Sequence, residues 1–201
     1  MRKWAVLMVI AIMGFAAASM AQAQQSYPLG NGNVAFKLDY LRFTDSDLKD
    51  LNVENGIYFA GEFYVPVFNP NLYLGLEVGY GWSSGDINIV GADVDVDLDY
   101  VPIEFNAKYA FALDPSLVLS LGAGISYNYL NIDADVNGVS SGDSDWLFGG
   151  QFFADLNYKM GQWFVGANVK YQITEDITLN DIDTDASASN FRAGGQFGFM
   201  F

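Results

Sequence analysis

The sequence predicts an all-β protein: an eight-stranded antiparallel up-and-down transmembrane β-barrel, its strands projecting above the membrane, preceded by a cleavable signal peptide. Three observations carry that prediction. Eight runs alternate with a period of two, as strands do when their two faces meet different surroundings. The connections between the runs alternate short and long, as in a barrel with both chain ends on one side of a bilayer. One face of each run is apolar and rich in rings, while the other holds glycine and most of the basic residues.

The chain opens with Arg2 and Lys3, followed by an unbroken apolar run over 4–18. That run suits a signal core and is short for a spanning helix. Ala21 and Ala23 fit the small-x-small cleavage rule, so residues 1–23 are expected to be removed and 24–201 to form one barrel domain. Without the first 23 residues, 7 basic and 24 acidic residues remain, a net charge of −17. A chain so acidic repels nucleic acid. It has neither cysteine nor histidine, which excludes disulfides, thiolate sites and imidazole chemistry.

In order, the runs are 33–43, 57–67, 72–82, 101–109, 117–129, 146–158, 163–173 and 191–201. Most match the roughly 9–11 residues that a tilted strand needs to cross a bilayer. The connections at 68–71, 111–116 and 159–162 are short and carry Pro, Gly or Asn turn chemistry. Those at 44–56, 83–100, 130–145 and 174–190 are long. Pro102 lacks a ladder donor within its strand and is expected to mark a bulge.

The ring-bearing face must point outward. An eight-stranded bore is only just wide enough for side chains and cannot take that many rings. A basic residue facing lipid near the midplane would cost about 2–4 kcal/mol. Tyr40, Tyr80, Trp82, Tyr127, Tyr129, Trp146 and Tyr171 then form a girdle on the loop side. Tyr109, Tyr158, Trp163 and Phe201 form one on the turn side. The inward face carries nine charges: Lys37, Asp39, Glu62, Glu77, Glu104, Lys108, Asp155, Lys170 and Arg192. Buried charges need partners, so these are expected to form an ion-pair network that plugs the lumen; a narrow aqueous pore is the alternative.

Beyond the membrane the polarity of the faces inverts. Leu41, Phe43, Ile87, Ile89, Val94, Val96, Leu98, Ile132, Val136 and Ile182 are expected inward. Arg42, Thr44, Asp86, Asn88, Asp93, Asp95, Asp97, Asp99, Asp133, Asp135, Asp181, Asp183 and Asp185 are expected outward. The start of the sixth strand and residues 174–177 break the rule, which predicts an uneven rim.

Phe197, Phe199 and Phe201 alternate up to the last residue. This ending resembles the signal that bacterial outer-membrane barrels present to their assembly machinery. The stretch 101–111, VPIEFNAKYAF, resembles a segment of the small outer-membrane barrel superfamily that includes the outer-membrane protein A and X types. The resemblance implies a barrel in the outer membrane of a Gram-negative bacterium, loops extracellular and termini periplasmic. It implies a structural or surface-interaction role, contact with outer-membrane lipid and lipopolysaccharide, and passage through the secretion and barrel-assembly machinery. Nothing follows Phe201, so the A type's peptidoglycan-binding domain is not expected. Barrel lipases and omptin proteases in that wider group use histidine, so no catalysis and no cofactor are expected. The acidic rim is a candidate for Ca²⁺ or Mg²⁺, although no run has calcium-loop spacing. Solvated carboxylates that block edge pairing are the simpler reading. A monomer is expected. The runner-up function is a narrow channel for small or hydrophobic solutes.

Overall fold

The computed structural model describes residues 27–89, 92–136, 139–179 and 182–201, and their side chains except at 87–89, 92–93, 136, 139–141, 178–179 and 182–185. The cleavage residues Ala21 and Ala23 lie outside the described residues. So do the expected rim side chains Ile87, Asn88, Ile89, Asp93, Val136, Asp181, Ile182, Asp183 and Asp185.

Eight strands close into an antiparallel barrel: β1 (Asn33–Phe43), β2 (Asn55–Pro66), β3 (Leu72–Ile89), β4 (Ala92–Ala112), β5 (Leu117–Val136), β6 (Val139–Met160), β7 (Trp163–Thr174) and β10 (Asn190–Met200). Each pairs with its sequence neighbour, and β10 closes on β1 with Asn33 opposite Met200 and Phe43 opposite Asn190. At the loop end, β8 (Asp176–Leu179) and β9 (Ile182–Ser187) form a separate two-stranded hairpin. A five-residue helix, α1 (Ser46–Asp50), sits between β1 and β2, and its cap Asp45 accepts a hydrogen bond from the Asp47 N–H.

The two central long connections are largely the projecting wall that the inverted alternation predicts. Most of 83–100 and 130–145 is strand, so β3 to β6 run 18 to 22 residues. Their ladders continue past the girdle without a register shift, because alternation persists there even though its polarity inverts. Pro102 marks no bulge. It pairs with Asn128 in unbroken register, and β4 keeps one register against β3 on both sides of it. The ladder to β3 only lapses at Gly79 and Tyr80, where the imide has no N–H to give.

The inside and outside surfaces follow the alternation. Phe36, Leu38, Phe63, Leu76, Val78, Phe105, Ile125, Phe152 and Val169 stand exposed around the wall. So wide an apolar belt is not the surface of a protein bathed in water. Outward tyrosines and tryptophans gather toward the strand ends. Tyr127 stacks on Trp146 at 4.6 Å on the loop side, and Trp163 stacks on Phe197 at 5.1 Å on the turn side.

Within the bore, two apolar clusters flank a charged layer. The loop-end cluster contains Leu41, Phe43, Val94, Val96, Leu98, Leu130 and Leu147 from the wall, with Ile132 packed against it. Leu48 of α1 and Val53 reach into it from above, and Ile177 and Ala186 join from the rim hairpin. Ile177 accounts for the broken pattern at 174–177: the chain there folds inward as a cover. Asp86, Asp95 and Asp97 are exposed, and Asp99, Asp133 and Asp135 half-buried. Thr44, expected outward, is half-buried because its hydroxyl donates to the Ser189 carbonyl at 3.0 Å.

The turn-end cluster packs Leu29, Tyr64, Tyr73, Ala110, Val118, Phe153, Phe164 and Met200. Leu29 is a stopper. Its N–H donates to the Tyr73 hydroxyl at 3.0 Å, and that hydroxyl donates to the Gly30 carbonyl at 3.0 Å. Gly30 has φ +74°, and a Cβ there would meet the Phe201 carbonyl at 3.0 Å, so the bend needs glycine.

Candidate functional site

Between the two apolar clusters lies the charged layer. Lys37 and Asp39 come from β1, Glu62 from β2, Glu77 from β3, Glu104 and Lys108 from β4, Asp155 from β6, Lys170 from β7 and Arg192 from β10. Their parity turns all nine inward, and all are buried.

Eight of the nine form one connected set of ion pairs. Lys37 Nζ lies 2.8 Å from Glu62, 3.0 Å from Glu77 and 3.8 Å from Asp155. Lys108 Nζ lies 3.2 Å from Glu62 and 3.3 Å from Asp155. Lys170 contacts Glu77 at 2.7 Å and also pairs with Glu104. Arg192 reaches Glu104 at 2.6 Å and Glu77 at 3.8 Å. Asp39 stands apart from these pairs and accepts a hydrogen bond from the Asn168 amide at 2.9 Å.

The ladder sets like charges side by side. Glu62 is directly opposite Glu77, and Glu77 opposite Glu104, giving a row of three carboxylates across β2, β3 and β4. Lys170 is directly opposite Arg192 across β7 and β10. Like charges in facing positions repel. Relief comes across the bore, where the basic pair meets Glu77 and Glu104.

Rings and amides complete the filling. The Arg192 guanidinium lies 4.4 Å from the Tyr58 ring centre, and Lys108 Nζ lies 3.7 Å from that of Tyr64. The Tyr58 hydroxyl donates to Glu77 at 3.1 Å. Toward the loop end, Tyr100 donates to Asn128 at 2.9 Å, and Gln172 donates to Ser126 at 2.6 Å and to Asn128 at 3.1 Å. Arg192 donates to Gln172 at 3.0 Å, which joins this amide layer to the charges. Nearer the charges, the Asn106 amide donates to Glu104 at 3.1 Å and Gln151 donates to Asn106 at 2.8 Å.

Sequence reasoning missed these tyrosines and amides. Parity alone would have found them: Tyr58 and Tyr64 share the inward phase of Glu62, and Tyr73 that of Glu77. An aromatic residue in a barrel strand invites a lipid-facing reading, and that preference hid them. The bore holds Tyr58, Tyr64, Tyr73, Tyr100, Phe153 and Phe164. Inward glycines make the room. A Cβ on Gly79 would lie 2.1 Å from the Tyr58 hydroxyl, and one on Gly122 would lie 2.2 Å from the Phe153 ring.

Chemically, the arrangement neutralises and fills. Among the described residues no cluster of three or more acids is placed to hold a metal ion. The terminal rings lie on the wall: Phe197 stacks on Trp163, Phe199 packs edge-on against the same ring at 4.9 Å, and Phe201 stacks on Phe63 at 6.3 Å.

No curated protein matches the sequence. Among solved structures, the chain is similar to neisserial surface protein A at 15% identity and a TM-score of 0.59, covering 86% of this chain and 98% of that one. It is similar to the outer membrane protein OprG from Pseudomonas aeruginosa at 15% identity and a TM-score of 0.57, covering 90% and 100%. A major outer membrane protein from Thermus thermophilus matches at 10% identity and a TM-score of 0.54, covering 84% and 99%. At these identities the likeness is one of fold. The model of the outer membrane protein beta-barrel domain matches residues 7–199. The apolar belt, the closed eight-stranded wall and that match lead to one identity: the chain belongs to the family of outer membrane protein beta-barrel domains.

Proposed function

We propose that the protein is a non-enzymatic, structural or surface-interacting barrel of the Gram-negative outer membrane, sealed along its bore. Its loop end, with α1, the β8–β9 hairpin and the acidic rim, faces the cell exterior, and both termini face the periplasm. Lipid and lipopolysaccharide surround the belt. The secretion machinery removes residues 1–23, and the assembly machinery reads Phe197, Phe199 and Phe201. The barrel acts as a monomer.

One observation carries this reading. A filled ionic layer is stacked between two apolar clusters, so three successive layers of side chains occupy the bore. The channel alternative would need the loop-end apolar residues to line a passage, yet Val94, Val96 and Leu98 are buried in one cluster with Leu48 of α1 and with Ile177 and Ala186 of the rim hairpin. The absence of histidine removes the commonest proton-transfer group from any hydrolytic mechanism. The rim acids act as solvating charge.

Planar-bilayer recording of the refolded protein tests the sealed bore. The expected result is a silent membrane, with no steady unitary steps at moderate voltage. Sustained ohmic steps from monodisperse protein would refute it.

A further inference from the structure

The turn between β2 and β3 holds a side chain that neither the lumen nor the wall uses. Phe68 has φ +60°, and the Asn69 N–H donates to the Val67 carbonyl at 2.6 Å, closing a three-residue turn around it. A γ-turn with positive φ is rare and strained, and for a bulky residue this region is an outlier. The only other described non-glycine residue with positive φ is Asn52, a type that tolerates it.

The turn is fixed rather than slack. The Asn69 carboxamide oxygen accepts from the Asn71 and Leu72 N–H groups, both at 2.9 Å. Val67 N–H donates to the Leu72 carbonyl at 2.8 Å. Asn71 is tied to Ala110 on β4 by two bonds of 2.8 Å, one from its side chain and one to its backbone carbonyl. The product of this bracing is a ring almost wholly clear of the described residues: Phe68 is 98% exposed, against no more than 57% for any residue of the belt. Strain that the surroundings over-determine points to a use outside the local fold.

We propose that Phe68 is a membrane anchor, held out to enter the boundary between headgroups and acyl chains in the turn-side leaflet. Its position argues for lipid as the occupant. The turn follows directly on the outward phase of β2 that carries Phe59 and Phe63 in the belt. Tyr109, a girdle residue, stands opposite Leu72 at the foot of the same turn. Phe111 packs against Tyr109 at 4.8 Å, and Leu113 on the adjoining turn is 57% exposed. Phe68 thus extends an apolar surface that already faces lipid, and phenylalanine and leucine at such tips suit an interface.

The inference rests on the membrane placement above, and one arm of the test checks that placement separately. The chain has no cysteine, so single cysteines can carry a spin label in phosphatidylcholine–phosphatidylglycerol vesicles. Phe63→Cys reports the belt, and the exposed Asp50 of α1, as Asp50→Cys, reports water. The label at Phe68→Cys should relax more with oxygen than with a water-soluble nickel complex, close to the Phe63→Cys ratio. A ratio equal to that at Asp50→Cys, with Phe63→Cys still lipid-like, would overturn the anchor and leave the barrel placement intact. Protection from nickel that appears only on adding a soluble periplasmic protein would also overturn it, in favour of a protein partner. Phe68→Gly supplies a second readout. Glycine suits this φ, so loss of strain alone would raise the urea midpoint in vesicles. The anchor requires the midpoint to fall; a rise or no change refutes it.

Discussion

The charge on Glu77 bears on more partners than any other carboxylate in the bore. It meets Lys37, Lys170 and Arg192, and accepts a hydrogen bond from Tyr58. Removing one member of a buried ionic set costs about 3–5 kcal/mol, because the charges left behind stay desolvated. Glu77→Gln and Lys170→Met should each lower the unfolding free energy in vesicles by an amount in that range, and the midpoint with it. Arg42→Ala, on the exposed rim, should change it little. Equal midpoints for Glu77→Gln and the parent would deny that the layer is packed. Gly79→Ala puts a methyl group into the Tyr58 hydroxyl, and overpacking of this kind costs about 1–3 kcal/mol. Gly61, facing outward on β2 opposite Val78, has no atom within 4 Å of a built Cβ. Gly61→Ala should therefore leave the midpoint unchanged or higher. The nine charged positions were legible because alternation assigns a face to each residue. Their pairing was not, because Lys37 and Asp155, or Glu104 and Arg192, are far apart in sequence and meet only across a closed bore.

At the scale of elements, sequence and structure part at the strand ends. Alternation of Asp95, Val96, Asp97 and Leu98 gave both the inverted faces and the projecting wall, but not where the wall ends and the loops begin. Extended backbone tolerates the inversion, since a change of surroundings asks for no change of φ and ψ. α1 was invisible because five residues are too few to show a helical period. Pro102 misled because a missing donor can simply be left unmade, without an inserted residue. The extended wall has its own electrostatics. Asp95 stands directly opposite Asp86 on one side and Asp135 on the other, and Asp97 stands opposite Asp133. Facing carboxylates repel and are screened by salt. Thermal resistance of the loop end, followed by proteolysis, should therefore rise with added NaCl. Asp95→Asn with Asp97→Asn should give the same gain at low salt. Mg²⁺ should do no more than NaCl at matched ionic strength; a saturable extra gain would mean that the rim takes up the ion.

Taken whole, the molecule is stabilised in two solvents. Around the belt, apolar side chains trade neighbours for acyl chains of similar polarity. At the loop end, Leu98 and Leu130 are buried from water as in any globular core. The same deletion should register differently in the two places. Leu98→Ala should cost about 2–5 kcal/mol. Leu121→Ala, half exposed on the belt, should cost clearly less, because lipid fills the space that the side chain leaves. Unfolding in vesicles with the two variants side by side measures the difference. Similar losses would show that the loop-end cluster is not a core of the ordinary kind.

The row Glu62, Glu77 and Glu104 on one arc, with Lys170 and Arg192 on another, bears on how the cylinder is made. A sheet lying open could keep the Lys37–Glu62 pair, whose strands are neighbours, but its Glu77–Glu104 flank would stand apart from its Lys170–Arg192 flank. Rolling the sheet up is the move that lets the flanks discharge one another. The arrangement behaves as a clasp: it penalises half-built wrappings, rewards the final seam between β1 and β10, and makes spontaneous reopening within the bilayer a step that must separate opposite charges in hydrocarbon.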